Sequence, residues 1–558
     1  MSSARRPTAL DAVAERHLER QLRLQPALAL SLGVPDAVPG LGDRSPAGLE
    51  ALADLSRATL REVAATPAAD DVDRVTAAAL TERLSLEVAL HEAGETLGDL
   101  NVIASPVQDL RMVFDLLPTS TVEDRADAAA RLAAVPEAVA GYCASLREAA
   151  ARGRVAARRQ VVECAAEADQ HAAADGFFHA FAASAATSGP GVPDAVRADL
   201  AAGAAAAAGA YGDLARVLRE ELLPLAPERD AVGADRYRLW SQWFLGARVD
   251  LADTYAWGLA EVARVRAEMA DVAREVCGSP DVAAAEAVLD ADPAGLVHGA
   301  AAFRDWMQER SDATVAALAG TAFDVPGEVR VLECRIAPTT SGGIYYTGPS
   351  EDLTRPGRMW WAVPPGQTTF STWREATTVH HEGVPGHHLQ MGVTAARRDV
   401  LNRWRRSGCW VSGHGEGWAL YAERLAGELG LLRGPGEVLG MLDAQLLRAA
   451  RVVVDLGVHC GFTAPPEAGG GAWTYGAAWE YLRANCGVHD DVLRFELSRY
   501  LGWPGQAPSY KVGERLWSQL REGVRAREGA AFDLRAFHRR ALDVGSVGLD
   551  VLRTALLP

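Results

Sequence analysis

The sequence has little lysine, few cysteines and no long apolar run. The last two shortages argue against particular classes of protein. Lys511 is the one lysine among 56 basic residues. Two explanations for this single lysine stay open: chance survival under a coding bias that favours arginine, or a position where the broad, planar guanidinium group of arginine does not fit. The seven cysteines are scattered without a CxxC pair, which argues against a disulfide framework and a thiolate zinc site. No window approaches the roughly 18 apolar residues that a membrane span needs.

The start of the chain and its net charge restrict where the protein acts and what it binds. The first residues lead into a polar, helix-like stretch without the apolar segment of a signal peptide, so we expect a cytoplasmic, reduced protein. A formal net charge of −17 argues against nucleic acid or a membrane as a partner. A chain of 558 residues exceeds what one small core needs, which favours two packed lobes. The oligomeric state is open.

Helical periodicity dominates the first half of the chain. Apolar residues recur at helical spacing from residue 8 to about residue 275, as in Leu10, Ala14, Leu18 and Leu22. Breaks in the pattern are predicted at 34–47, around Pro106 and at 188–193.

Strand signals cluster in one part of the second half. They lie at 328–336, 343–347 and 359–363, and helical periodicity resumes after Thr372. We predict a mainly α, two-lobed fold with one small β-sheet before the active-site helix. Its N-terminal helical region covers 1–275, and its catalytic region covers 276–558.

The chemistry-bearing residues cluster at 378–390, Thr-Val-His-His-Glu-Gly-Val-Pro-Gly-His-His-Leu-Gln. The His-Glu and Gly-His pairs resemble the HExxH motif of zincins, in which two histidines on one helix bind zinc and the glutamate is the base. In this chain the position four residues after His381 is Pro385. The next histidines, His387 and His388, follow six and seven residues after His381, where a regular helix does not bring two rings to one ion.

A break in the helix would repair this spacing. Pro385 lacks an N–H and clashes with the carbonyl of residue 381, and Gly386 tolerates unusual backbone angles. We therefore predict a break that returns His387 to the ligand position, with His388 as its rival.

A third ligand lies downstream in the run 414–423, His-Gly-Glu-Gly-Trp-Ala-Leu-Tyr-Ala-Glu. It places Glu416 and Glu423 seven residues apart, on one helix face. In gluzincin-type enzymes the third ligand is a glutamate on a following helix, with a second acidic residue two turns later. We predict that Glu416 is the ligand and that Glu423 orients a histidine by accepting its other ring proton.

Several segments together resemble one family, DUF885, a domain of unknown function placed among zincin peptidases. They are HEGVPGHHLQ at 381–390, EGWALYAE at 416–423, PGQAPSYKVG at 504–513, FDLRAFH at 532–538 and GSVGLDVL at 545–552. The resemblance covers nearly the whole chain. It implies a helical zincin-like metallohydrolase with one Zn²⁺ per chain, enclosed in a groove between two lobes.

The remaining roles follow from what hydrolysis requires. Zinc acidifies a water that it binds, and Glu382 is predicted to take the proton of this water as general base. Tyr510 is the first candidate to stabilise the oxyanion and His459 the second, as in helical oligopeptidases, with Tyr345 and Tyr346 as further options. The candidates to bind a substrate carboxylate are Lys511, Arg355 and Arg451.

These residues predict a zinc-dependent hydrolase of amide bonds, acting on short peptides. Two alternatives stay open. One is a zincin scaffold that hydrolyses a non-peptide amide metabolite. The other is an inactive protein that binds peptide or metal without turnover. The sequence does not distinguish exo- from endopeptidase action, and imidazole and carboxylate ligands also suit divalent metals other than zinc.

Overall fold

The computed structural model describes residues 5–34, 40–187, 191–337 and 343–557. Helices make up 70% of it and strands 4%, which confirms the mainly α prediction. The first eleven helices are α1 (Ala9–Leu24), α2 (Pro26–Ser31), α3 (Pro46–Ala65), α4 (Asp71–Glu92), α5 (Pro106–Met112), α6 (Val122–Ala151), α7 (Arg158–Ala172), α8 (Phe177–Thr187), α9 (Asp194–Val217), α10 (Ala234–Leu245) and α11 (Leu251–Cys277).

The second half of the chain carries the other helices and all five strands of the described residues. The helices are α12 (Val282–Ala291), α13 (Ala300–Leu318), α14 (Thr372–Glu382), α15 (His387–Ala396), α16 (Ser412–Glu428), α17 (Gly434–Cys460), α18 (Tyr475–Asn485), α19 (Asp490–Gly502), α20 (Pro508–Glu528), α21 (Leu534–Asp543) and α22 (Leu549–Leu556). The strands are β1 (Leu296–His298), β2 (Leu332–Ile336), β3 (Ile344–Thr347), β4 (Gly357–Trp361) and β5 (Thr369–Ser371).

Local sequence explains where several helices begin. Thr8 accepts a hydrogen bond from the backbone N–H of Asp11 at 3.1 Å, and the Asp11 carboxylate accepts the backbone N–H of Thr8 at 2.9 Å. The same capping box starts α6 at Thr121 and Asp124. Such caps satisfy N–H groups that the first helical turn leaves without partners. Of the predicted breaks, the one near Pro106 ends where α5 begins, and the other two fall partly on 35–39 and 188–190, outside the described residues.

The apolar faces of these helices pack into two large clusters. Helices α5–α9 form one cluster. The other joins α1 and α4 to α10, α11 and the helices from α12 onward. The predicted stripe Leu10, Ala14, Leu18 and Leu22 of α1 is buried in this second cluster. Burial of an apolar stripe against other helices supplies most of a helix's stability in a protein. The division at residue 275 stays a prediction.

Two small sheets precede α14, so the prediction of one sheet was wrong in number. Strand β4 pairs in parallel with β2 and antiparallel with β3, and β1 pairs antiparallel with β5. Each strand of the second sheet has three residues, too few to show an alternating pattern in the sequence. Strand β5 runs directly into α14, which carries the first histidines of the predicted site.

Candidate metal centre

The helix with the His-Glu pair is interrupted at the predicted place. Helix α14 ends at Glu382 and α15 begins at His387. The indole N–H of Trp418 on α16 donates to the carbonyl of Pro385 at 2.9 Å. This bond fixes the interruption against the neighbouring helix.

Glycine is needed at one position of the interruption. The backbone N–H of Gly386 donates to the carbonyl of His380 at 3.0 Å. A β-carbon on Gly386 would lie 1.9 Å from the carbonyl oxygen of His381. The tight turn that presents His387 therefore has no room for a larger residue.

The interruption brings three predicted ligands together. The Nε2 atoms of His381 and His387 lie 3.4 Å and 3.5 Å from the same Oε2 atom of Glu416. The two imidazole planes are perpendicular, at 89°, with ring centroids 4.9 Å apart. The three residues come from α14, α15 and α16, and their donor atoms all lie within 4.8 Å of one another.

The spacing and charge of these donors fit a divalent cation. Ligands about 2.0–2.1 Å from a tetrahedral zinc stand roughly 3.3–3.4 Å apart, close to the 3.4 Å and 3.5 Å observed here. Burial raises the pKa of the Glu416 carboxyl, but His387 and His381 together hold it well below its usual range. Against the effect of burial, Glu416 and Glu423 raise the pKa of His381 to about 10. The pocket thus favours positive charge between these groups.

Glu423 lies where the sequence analysis expects a supporting carboxylate. His381 donates its Nδ1 proton to Oε1 of Glu423 at 2.7 Å, which leaves Nε2 directed toward Glu416. The side-chain N–H of Gln445 donates to the other Glu423 oxygen at 3.1 Å. A carboxylate in this position fixes the tautomer of a metal-binding histidine.

Lys511 supports this arrangement from behind. Its ammonium group donates to the side-chain oxygen of Gln445 and to Glu514 at 2.5 Å, and lies 3.0 Å from Glu261. The side chain is 1% exposed. The three donors of an ammonium group are thereby used inside the protein, so Lys511 supports the site through Gln445 and has no free donor for a substrate carboxylate.

Glu382 has a carboxylate available for proton transfer. Burial raises its pKa, the charges of His381 and His387 lower it, and that of Glu416 raises it. Glu382 also follows the predicted ligand His381 directly in the chain. Its side chain is largely buried, with 7% exposure. It can therefore accept a proton from a water between it and the donors.

Tyr510 lies on the other side of the same group of side chains. Burial and the negative charge of Glu416 raise its pKa, while Arg499 and Arg451 lower it. The guanidinium carbon of Arg451 lies 5.3 Å from the centre of the Tyr510 ring. The phenol is thus influenced by the Glu416 carboxylate and by two arginines, and it is the candidate to donate a hydrogen bond to a developing oxyanion.

His388 is placed away from the donors and is engaged elsewhere. Its Nε2–H donates to the carbonyl of Val329 at 2.8 Å, and its Nδ1 accepts the hydroxyl of Tyr346 at 3.0 Å. A β-carbon on Gly357 would lie 2.0 Å from the Tyr346 oxygen, so that glycine makes the contact possible. Glu382 contributes to the raised pKa of Tyr346, which places this second tyrosine close to the site. Tyr345 instead stacks on Trp360.

His459 is not placed to act in catalysis. Its Nε2 donates to the carbonyl of Tyr500 at 2.9 Å, its Nδ1 accepts the backbone N–H of Val232 at 3.4 Å, and its ring stacks on Tyr237. Burial lowers its pKa to about 4. Both nitrogens are bound to the backbone, so the prediction of a catalytic role was wrong.

The two predicted substrate-binding arginines differ in their partners. Arg451 donates to the Tyr500 hydroxyl at 2.6 Å and to Glu496 at 2.7 Å, so it is a buried ion pair and not an anion receptor. Arg355 donates only to backbone carbonyls, at 2.8 Å and 3.2 Å. It lines the same cleft as Tyr346 and stays a candidate.

Sequence analysis missed Arg448, which lies on α17 between Gln445 and Arg451. Its guanidinium donates to the carbonyl of Ala444 at 3.1 Å, and within the described ranges its buried Nε has no partner. Its charge lowers the pKa of Glu382. The spacing of three residues between Gln445, Arg448 and Arg451 could have indicated that their side chains share one face of the helix.

Comparison with known proteins assigns the family. The sequence profile described as "Bacterial protein of unknown function (DUF885)" matches residues 26–556. The chain belongs to the DUF885 family. The resemblance stated from the motifs is thus confirmed, while the placement of DUF885 among zincins stays a prediction. No curated protein matches this DUF885 chain.

Two solved structures share the fold of this DUF885 protein. The crystal structure of a "putative lipoprotein" from Colwellia psychrerythraea is similar with a TM-score of 0.82 and 22% identity, over 98% of each chain. A "putative lipoprotein of unknown function" from Shewanella oneidensis has a TM-score of 0.75 and 17% identity, over 99% of this chain and 100% of the other. At these identities the likeness concerns the fold alone.

In the part of the chain that the structure describes, no helix combines the length and apolar character of a membrane span.

Proposed function

We propose that this DUF885 protein is a zinc-dependent hydrolase of amide bonds that acts on short peptides. One observation carries the proposal. The imidazoles of His381 and His387 and the carboxylate of Glu416 meet from three helices at donor spacings of 3.4 Å and 3.5 Å, with Glu382 beside them.

The roles of the side chains follow from their positions. His381, His387 and Glu416 hold one zinc ion, which supplies the positive charge that acidifies a water and polarises the amide carbonyl when bound. Glu382 accepts the proton of the attacking water and delivers it to the leaving amine. Glu423 keeps the Nδ1 proton on His381 and so keeps Nε2 available. The Tyr510 hydroxyl donates a hydrogen bond to the oxyanion.

Substrate binding involves the cations that have no acidic partner within the described residues. Arg448 lies close enough to Glu382 to lower its pKa, and Arg355 lines the cleft that contains Tyr346. A guanidinium with unused donors holds a carboxylate well. We therefore propose peptides with a free C-terminal carboxylate as the preferred substrates.

Location and partners belong to the same proposal. We infer a protein without nucleic acid or membrane partners, because the net charge of −17 repels anionic surfaces. We also infer a cytoplasmic location, because its seven cysteines are free thiols. The similar proteins described as lipoproteins make cell fractionation with an antibody the direct test of this location.

The experiment combines metal analysis with a fluorogenic peptide library, tested with and without a chelator. Each peptide is present both as the free acid and as the amide. The wild-type chain is expected to bind one zinc per chain, to cleave free-acid peptides and to lose activity on chelation. Glu382→Gln is expected to retain zinc and lose activity.

The alternatives give other results. Zinc binding without cleavage of any peptide, combined with cleavage of acylated amine metabolites, favours the metabolite hydrolase. Zinc binding with no turnover of either class identifies an inactive binding protein. Full activity in Glu382→Gln or without bound metal contradicts the proposed mechanism.

A further inference from the structure

A cavity of about 420 Å³ lies away from the metal centre, between α1, α3, α4, α6 and α10. None of His381, His387 and Glu416 lines it. Its volume falls in the range of about 300–1,000 Å³ that is usual for small-molecule sites. Aromatic rings form one part of its wall: Trp240, Trp243, Phe244 and Trp503.

Acidic groups outnumber basic ones in the rest of the wall. The cavity is lined by Glu87, Glu95 and Asp99, and by one arginine, Arg44. Glu95 is already paired with Arg236 at 2.7 Å. Glu87 and Asp99 therefore remain against the single arginine of the wall.

The two remaining carboxyl groups are held in an environment that opposes their charge. Glu87 accepts a hydrogen bond from the Ser56 hydroxyl at 2.7 Å, and Asp99 accepts one from Asn101 at 3.3 Å. Burial raises the pKa of Glu87 and raises that of Asp99 to about 7. A bound cation would offset this cost, because an opposite charge stabilises the ionised carboxylate.

A buried histidine points to the same kind of ligand. The Thr59 hydroxyl donates to the carbonyl of Leu55 at 3.0 Å, so the His17 Nδ1–H donates to Thr59 at 2.9 Å. This tautomer leaves Nε2 of His17 as an acceptor. His17 is 2% exposed, and within the described residues neither its Nε2 nor Oε1 of Gln21 has a hydrogen-bond partner. Buried acceptors of this kind require a donor.

We propose that this cavity binds a small organic cation, a primary ammonium group on an apolar body. The ammonium group donates to acceptors that line the cavity, which are His17 Nε2, Gln21 Oε1 and the carboxyl groups of Asp99 and Glu87. The apolar body packs on the aromatic wall, whose ring faces also attract a cation. Binding there is independent of the proposed hydrolase activity, because the metal ligands belong to other parts of the fold.

The test is isothermal titration calorimetry of the full chain with 2-phenylethylammonium and with its neutral isostere, 2-phenylethanol. The ammonium compound is expected to bind at least tenfold more tightly. The isosteric double variant Glu87→Gln/Asp99→Asn is expected to lose at least tenfold in affinity. Asp54→Asn, an exposed acid on α3 with a side chain 69% accessible, serves as the matched control and is expected to bind as the wild type does.

Three results would overturn the proposal. One is equal affinity for the alcohol, and another is unchanged ammonium binding by a folded double variant. The third is loss of ammonium binding in Glu382→Gln together with unchanged binding in the double variant. This result would place the ammonium compound at the metal centre. If the double variant does not fold, Gln21→Leu removes one acceptor at a half-buried position. It is expected to weaken ammonium binding several-fold, and unchanged affinity in that variant also overturns the proposal.

Discussion

Gly417 on α16 and Gly513 on α20 touch backbone to backbone. A β-carbon on Gly417 would lie 2.5 Å from the carbonyl carbon of Gly513. The contact lies one residue after Glu416 and three residues after Tyr510. The close approach of these two helices therefore sets the distance between a proposed metal ligand and the proposed oxyanion donor.

Gly417→Ala is expected to lower the free energy of unfolding by about 1–3 kcal/mol, since an added methyl group forces packed backbones apart. Gly209→Ala is the matched control, because Gly209 is exposed within α9 and a β-carbon there meets nothing within 4 Å. It is expected to stabilise the protein by up to about 1 kcal/mol through helix propensity. Urea titration measures both, and equal stability of Gly417→Ala and the wild type contradicts the packing argument.

Glu423→Gln is expected to weaken zinc binding by about 10- to 100-fold, because His381 loses the carboxylate that orients it. Competition with a chromogenic chelator measures the affinity. Glu428→Gln on the same helix is the control, since Glu428 contacts Arg521 near the surface. Equal zinc affinity in Glu423→Gln and Glu428→Gln would remove the supporting role from Glu423.

Tyr510→Phe is expected to lower kcat by about 10²–10³-fold with bound zinc retained, as loss of an oxyanion donor does elsewhere. Tyr345→Phe, on a half-exposed ring stacked on Trp360, is expected to change little. Steady-state kinetics on the best peptide of the library measure both. If Tyr346→Phe causes the large loss and Tyr510→Phe does not, the oxyanion donor is Tyr346.

Lys511→Met is expected to destabilise the protein by about 3–5 kcal/mol, because it leaves Glu514 and Glu261 buried without their shared cation. The double variant Lys511→Met/Glu514→Gln is expected to recover part of this loss, since it removes one of the unpaired carboxylates. Denaturant unfolding measures the coupling. Strict additivity of the two substitutions would show that the ion pair does not act as a unit.

The contribution of buried histidines to stability is expected to fall as the pH decreases from 6.5 towards 4. Burial lowers the pKa of His17, His459 and His538 to about 4, from 6.5. Between these values the unfolded chain binds more protons than the folded one, so the contribution is complete above pH 6.5 and is lost below it. Each histidine contributes up to roughly 3 kcal/mol.

Urea unfolding at several pH values, with a chelator present to separate this effect from metal release, checks this pH dependence. His538→Gln is expected to flatten the slope. A slope in His538→Gln equal to that of the wild type contradicts the assignment of a buried neutral imidazole at this position.

Much of the metal centre could be predicted because its signals are local. The Pro385–Gly386 step indicates a helix break at its own position, and Glu416 and Glu423 share a helix face through their spacing of seven residues. The three-residue strands β1 and β5 were not predictable, since their pairing depends on residues far apart in the chain.

Three candidate residues have their hydrogen-bond partners inside the protein. Lys511, His459 and Arg451 are polar groups near recognisable motifs, and the sequence does not reveal whether their partners are substrate or protein. Lys511 bonds to Gln445 across 66 positions, and His459 to Tyr500 across 41. Because of such contacts, the polar groups of a candidate binding residue are used by partners within the protein.

The sequence by itself determined the helical character, the DUF885 membership and the set of His and Glu residues able to bind a metal. Periodicity, caps and the proline–glycine break act over a few residues and are legible without coordinates. Only the tertiary structure decided that Glu423, Gln445 and Lys511 form one chain behind His381. It also decided that the charge of Arg448 acts on Glu382, because burial and side-chain partners arise from helices that meet only after folding.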